Sequence, residues 1–244
     1  MSIDLFTFDK FIKSNTMENN ILVSNASDIE RATFFRKTYT HVAIALLAFI
    51  FVEYILLTLV PTELIAKMMG GRFIWLFIIG MFWLGTTLSN KLAFNPSRDK
   101  QYLGLGLYVI LEAIIFLPMI AIATMYSGSE MIVQAASITL FMFSGLTAVV
   151  FFTKTDFSFL RTVLIVGGFV SLGTIVVGAI FGFDLGLWFS VGMVVLASAS
   201  ILYQTSQIKD QYGTEQYVGA ALQLFSSIML LFWYVLRILM SRRS

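Results

Sequence analysis

Apolar positions along this chain do not recur as stripes; they fill whole blocks. Seven such blocks, approximately residues 41–60, 73–89, 102–125, 131–153, 159–181, 185–207 and 217–240, are apolar on every side of a helix. At about 1.5 Å of rise per residue, each block reaches across most or all of a hydrocarbon core of about 30 Å. A helix on the surface of a water-soluble domain would keep a polar face, because only one side meets its core. The pattern predicts an all-α integral membrane protein with seven transmembrane helices. Turn residues sit between the blocks: Pro61 and Gly70-Gly71, Asn95-Pro96-Ser97, Ser127-Gly128-Ser129, Lys154-Thr155-Asp156, Gly182-Phe183-Asp184 and Gly213.

The blocks divide the chain into a polar N-terminal tail, residues 1–38, and a seven-span transmembrane domain, residues 39–244. The tail lacks the apolar core of a signal peptide and is expected to stay uncleaved. Its Asn-rich run from Asn15 to Asn25 suggests mobility, turning helical near Asp28, which can cap Ile29 onward. Ala32, Phe35 and Tyr39, with Arg36 and Lys37 between them, suggest an amphipathic approach to the membrane. Eleven Lys/Arg fall on the side of the tail and five on the other, which puts the N-terminus in the cytoplasm. Seven spans then leave the C-terminus extracytoplasmic, against the dissent of Arg237, Arg242 and Arg243. A re-entrant last segment is the alternative topology.

Composition narrows the chemistry. Hydrophobic residues make up 58% of the chain, so the lipid bilayer is its first partner. There is no cysteine and one histidine, His41, which excludes thiolate sites, multi-His metal ligation and Cys nucleophiles. A net charge of +2 carries no footprint for nucleic acid. Gly104, Gly106, Gly167 and Gly168 lack the Lys-Ser/Thr of a phosphate loop and are expected to let helices approach closely. No paired carboxylates or Ser-His pair are visible, so no enzyme and no cofactor is expected.

Polar groups at membrane depth are then the informative residues. Glu112 lies near the middle of the third span with Pro118 beyond it. A carboxylate there costs roughly 2.5–3.5 kcal/mol on insertion scales, and protonation is the usual escape. Pro118 cannot donate to the carbonyl of Ile114, which leaves that oxygen for a side chain, water or ion. Glu112 reads either as a proton- or cation-responsive site and candidate pH sensor, or as a neutral carboxyl tied to a neighbouring helix. Ala197, Ser200 and Gln204 share one face of the sixth span, flanked by Thr205. Gly219, Gln223, Ser226 and Ser227 form a matching stripe on the seventh. Close packing explains the serines; the glutamines have capacity to spare, and a polar cavity or ion path would use Glu112, Gln204, Gln223, Ser227, Ser200 and Thr205. Glu53, in the outer half of the first span, snorkels or pairs with another span. His41 is expected to be solvated at the interface, and Asp156 or Ser158 to cap the fifth span.

Several segments together resemble the Bax inhibitor family, including its bacterial YccA-like branch. They are Phe35-Arg36-Lys37-Thr38-Tyr39-Thr40-His41; Gly106-Leu107-Tyr108-Val109-Ile110-Leu111-Glu112 followed by Pro118; and Thr153-Lys154-Thr155-Asp156-Phe157-Ser158. The clearest are Tyr203-Gln204-Thr205 and the run from Glu215-Gln216-Tyr217 through Gly219-Ala220-Ala221-Leu222 to Leu236-Arg237-Ile238-Leu239. The resemblance covers roughly residues 34–240. It implies a last helix that is central and wrapped by the other six, in the bacterial cytoplasmic (inner) membrane. It implies a non-enzymatic regulator of membrane protein quality control or membrane stress, a modulator or substrate of the membrane protease FtsH. The alternative it implies is a calcium or cation leak channel, with Ca2+ bound only transiently. In leak-type members two aspartates on spans six and seven form the gate. Those positions are Gln204 and Ser227 here, and neither side chain titrates. The basic partner within span two has no match, since residues 73–89 hold no Lys or Arg.

Overall fold

The computed structural model describes residues 21–70, 72–153 and 155–241, without the side chains of 69–70, 72–76, 79 and 126–127. Most of the predicted tail, with Gly71, Lys154, Arg242 and Arg243, lies outside the described residues. A 3-10 turn, Val23–Asn25, leads into α1, Asp28–Leu59. There follow α2 (Thr62–Gly70), α3 (Arg72–Ala93), α4 (Arg98–Ser127), α5 (Ser129–Phe152), α6 (Leu160–Phe181), α7 (Gly186–Asp210) and α8 (Tyr217–Ser241). Among the described residues the sole β feature is an isolated antiparallel bridge, Leu22 to Gly213.

Six of the described helices, α1 and α4–α8, are long and apolar enough to cross a membrane. Their outward faces are apolar too: Phe141, Phe152 and Trp188 are each more than four-fifths exposed. Rings turned outward over such long helices belong in lipid. This is an all-helical multi-pass membrane protein.

Several boundaries differ from those expected, each for a local reason. Helix α1 starts at Asp28, where the chain is expected to turn helical, and runs unbroken for 32 residues through the first apolar block. Its cap is Ser27 rather than Asp28: the Ser27 side chain accepts from the Glu30 amide while the Glu30 carboxylate accepts from the Ser27 amide, a capping box. Its first turns pack against the other helices. Phe34 and Thr38 are buried, and Phe35 meets Phe151 of α5 edge-on at 5.1 Å. The turn at Pro61 contains the nine-residue helix α2, whose Ile65 packs with Leu117 and Ala121 of α4. Pro61 ends α1 because it has no amide to donate, and its carbonyl accepts from Leu64 and Ile65. Gly128 alone joins α4 to α5, at φ +69°, where a side chain would be strained.

Alongside α4, the most buried of the described helices is α8. Sixteen of its residues are buried, against two, Leu160 and Gly178, on α6. Helix α8 packs against α1, α3, α4, α5 and α7, whereas α6 packs on α3 and α7. Small residues set two of these approaches. A Cβ on Gly219 would lie 2.6 Å from the Phe94 ring, and one on Gly104 would lie 2.6 Å from the Ala93 backbone nitrogen. A Cβ on Gly167 would meet the tip of Leu196, but Gly106 and Gly168 face open space, so close approach does not explain those two.

Candidate functional site

Polar side chains cluster in three tiers along α8, and the antiparallel course of α7 and α8 decides who meets whom. At the Tyr217 end, Arg98 forms an ion pair with Glu215 and bonds its carbonyl at 3.0 Å. The Arg98 guanidinium also lies 4.2 Å over the Tyr217 ring, and the Lys37 ammonium 4.9 Å. His41 is not simply solvated. Its Nδ1 donates to the Lys37 carbonyl at 2.7 Å, and its ring stacks on Tyr102 with centroids 5.6 Å apart. A carbonyl can only accept, which puts a proton on Nδ1, and Nε2 lies 3.4 Å from the Tyr102 hydroxyl. This tier ties α1, α4 and α8 together.

The middle tier contains the two stripes. Gln204 donates to Gln223 at 3.4 Å, and Gln223 donates to Asn90 of α3 at 2.7 Å. One turn away, Ser200 and Ser227 share a hydrogen bond of 2.8 Å. Gln204 and Ser227 therefore have separate partners, each bonding a residue one turn from the other. Thr205, on the next face, is buried with an unpartnered hydroxyl.

The third tier is a cavity of about 480 Å³ between α3, α4, α6 and α8. Glu112 lines it and is 6% exposed. The Tyr108 hydroxyl, one turn before Glu112 and facing its carboxyl, bonds Ser226 of α8 at 2.7 Å. Toward the Ser241 end the wall includes Arg237 and Asp184, paired at 3.4 Å. Of the residues expected to form one polar site, Glu112 lines this cavity; Gln204, Gln223, Ser227, Ser200 and Thr205 do not. Pro118 leaves α4 unbroken.

Glu53 does not reach the surface and finds no pair among the described residues: it is 4% exposed, and both carboxyl oxygens lack a partner there. Asp156 and Ser158 make a turn before α6, with Asp156 accepting from the Ser158 amide at 2.9 Å and hydroxyl at 2.6 Å; neither caps the helix, whose flanking residue Phe159 makes no side-chain cap. Among the described residues no group of three or more His, Asp or Glu could hold a metal ion.

Tyr108, Ser226, Asn90, Asp184 and Arg237 complete the site without having been singled out for it. Tyr108 had a signal, its spacing of one helical turn from Glu112. Asn90 falls one residue beyond the block 73–89, and α3 continues past it to Ala93. The pairing of Asp184 with Arg237 crosses 53 residues of sequence, and no local pattern announces it.

A long-helix bundle with a buried, polar-striped last helix defines a class of multi-pass membrane protein. Residues 31–244 match the family described as inhibitor of apoptosis-promoting Bax1, and the chain belongs to that Bax inhibitor family. It is 35% identical over 162 residues to an uncharacterized protein of Pseudomonas aeruginosa, covering 65% of this chain and 69% of that one. It is 28% identical over 172 residues to Bax inhibitor 1 of Schizosaccharomyces pombe, covering 67% of this chain and 61% of the yeast protein. An uncharacterized Neisseria meningitidis protein is 30% identical over 115 residues, 47% of this chain and half of its own length.

Proposed function

We propose that this chain is a non-enzymatic, seven-span protein of the bacterial cytoplasmic membrane that passes cations along α8. In this reading α3 is the seventh span, α8 is the axis, the N-terminus is cytoplasmic and the cavity opens toward the extracytoplasmic side. Reporters fused after Asp99 and after Gly128 should report opposite sides; the same side for both would overturn this topology.

One observation carries the conduction reading: polar groups follow α8 from Glu215 to Arg237, and the cavity carries Glu112 to their middle. The hydrogen-bonded layer of Gln204, Gln223, Asn90, Ser200 and Ser227 is the closed element. Calcium ordinarily takes six to eight oxygen ligands. One carboxylate with neutral neighbours favours passage over tight holding. Calcium entry into liposomes containing the purified protein is the test. Glu112→Gln should slow entry by about twofold, the size of the change expected when this one carboxylate is neutralised, and equal rates for parent and variant would remove Glu112 from the path.

A second reading is favoured by the same middle layer, where neither gate position ionises. It makes the protein a regulator of membrane protein quality control, as modulator or substrate of the protease FtsH, with the tail as its handle. Deleting residues 1–20 should lengthen the protein's lifetime in a host that degrades the full chain. An unchanged half-life there would exclude the tail as the point of engagement.

A further inference from the structure

The cavity beside Glu112 is poorly shaped to hold an inorganic ion in place. It measures about 480 Å³, within the range of small-molecule sites. Six of its seventeen lining residues are aromatic: Phe82, Tyr108, Phe116, Phe183, Trp233 and Tyr234. These rings come from α3, α4, α8 and the turn between α6 and α7, and those on α4 and α8 pack against other rings while Phe183 of the turn is half exposed. Phe116 and Trp233, for example, meet edge to face at 4.9 Å.

The charged groups facing this space are few. Helix α4 supplies Glu112, the α6–α7 turn supplies Asp184, and α8 supplies Arg237; among the described side chains α3 and α6 supply none to the lining. Asp184 and Arg237 are already paired. Their charges offset one another, so Glu112 sets the sign of the cavity. Tyr108 and Ser226 hold one side of its wall in place through their hydrogen bond. A divalent cation stripped of water would find too few oxygens here. An anion would meet Glu112 and an arginine that is already taken. A body with apolar surface and one positive charge matches both the rings and the carboxylate, since cations are attracted to aromatic faces.

We propose that this cavity is a binding site for a small lipophilic organic cation, an aralkyl amine or quaternary ammonium, with Glu112 as its counter-ion. Binding of this kind goes beyond conduction and does not depend on ions passing. The site then accounts for the aromatic wall, which an ion path does not require.

The test is equilibrium binding to the full chain in lipid nanodiscs by ligand-observed NMR, with empty nanodiscs subtracted. The probes are benzyltrimethylammonium, its neutral carbon isostere neopentylbenzene, and the anion 3-phenylpropionate. The parent should bind the ammonium more tightly than the isostere and the anion least. Glu112→Gln should weaken the ammonium about tenfold while leaving the isostere within about twofold, the expectation for loss of a charge partner. Ala179→Phe, which fills the cavity from α6 and leaves Glu112 in place, should weaken ammonium and isostere alike. Should Glu112→Gln fail to fold, Ala179→Phe and the comparison of probes on the parent decide. Equal affinity of the parent for ammonium and isostere would mark an apolar pocket, suited to a lipid chain, and overturn the proposal. So would an Ala179→Phe protein that binds the ammonium as the parent does.

Discussion

Glu53 and Glu112 are both carboxyls buried at membrane depth, and their surroundings separate them. Glu112 borders a cavity and faces a hydroxyl, whereas both oxygens of Glu53 are buried without a partner among the described residues. A buried polar group left unpaired costs about 1–3 kcal/mol, and an apolar replacement of similar shape recovers it. Glu53→Leu should therefore raise the thermal midpoint in detergent, and a lower midpoint would show that the carboxyl has a partner it needs. Outside the membrane, Asp156 behaves oppositely. The Ser158 hydroxyl and then its amide hold the Asp156 carboxyl below the usual carboxylate range. A lowered folded value means the turn gains stability above the ordinary carboxylate range and loses it as pH falls through the lowered one. The carboxyl carbon of Asp156 should titrate below that of a free aspartate, and Ser158→Ala should move the midpoint upward. An unmoved midpoint would remove Ser158 as the cause. Glu112 was legible in the sequence because a carboxylate in an apolar block stands out. Asn90 and the pair Asp184–Arg237 were not, since amides at span ends and charges in short turns are ordinary until another helix meets them.

Elements were legible wherever lipid dictated them. The blocks became helices because backbone amides in hydrocarbon must bond within their own segment. Their ends were less legible, because a helix that leaves the membrane is held by caps and packing. The start of α1 is the clearest case. Asp28 marks where the helix begins, but the cap is Ser27, which stands three before Glu30 in the spacing of a capping box, while hydropathy alone gives only the membrane boundary near residue 41. Upstream, Val23 is fully buried, its amide donates to the Tyr212 carbonyl at 2.8 Å, and the Thr214 amide donates to Ile21 at 3.0 Å. The segment from residue 21 thus belongs to the folded domain rather than to a free tail. Ser27→Ala should cost about 1 kcal/mol, the usual value for losing an N-cap, and raise amide exchange in the first turn of α1 alone. Exchange rising equally at Phe34 and beyond would show that the cap supports the whole extension.

At the scale of the molecule, the middle tier decides how conduction would respond to pH. Paired aspartates at close quarters couple their titrations, so a change of one proton can shift the helices around them. Here the corresponding positions are neutral, and they are staggered: Gln204 bonds Gln223 while Ser227 bonds Ser200. None of these side chains exchanges a proton in the physiological range. Cation entry through the parent should accordingly change less than about twofold between about pH 6 and about pH 8, with Glu112 as the residual sensor. The double change Gln204→Asp with Ser227→Asp puts two carboxyls on facing helices, offset by about one helical turn, where their charges interact through a low-dielectric interior. Replacing two bonded neutral groups by acids also breaks the layer that closes the path, most of all when both are ionised. Calcium entry into liposomes should therefore rise from the lower pH to the higher one in the double variant and stay nearly flat in the parent. A parent whose entry changes severalfold over that interval, and keeps doing so in Glu112→Gln, would place the switch outside this tier. The cluster of His41, Tyr102 and Tyr217 would then be the next group to alter, because it joins α1, α4 and α8 at the other end of the same column.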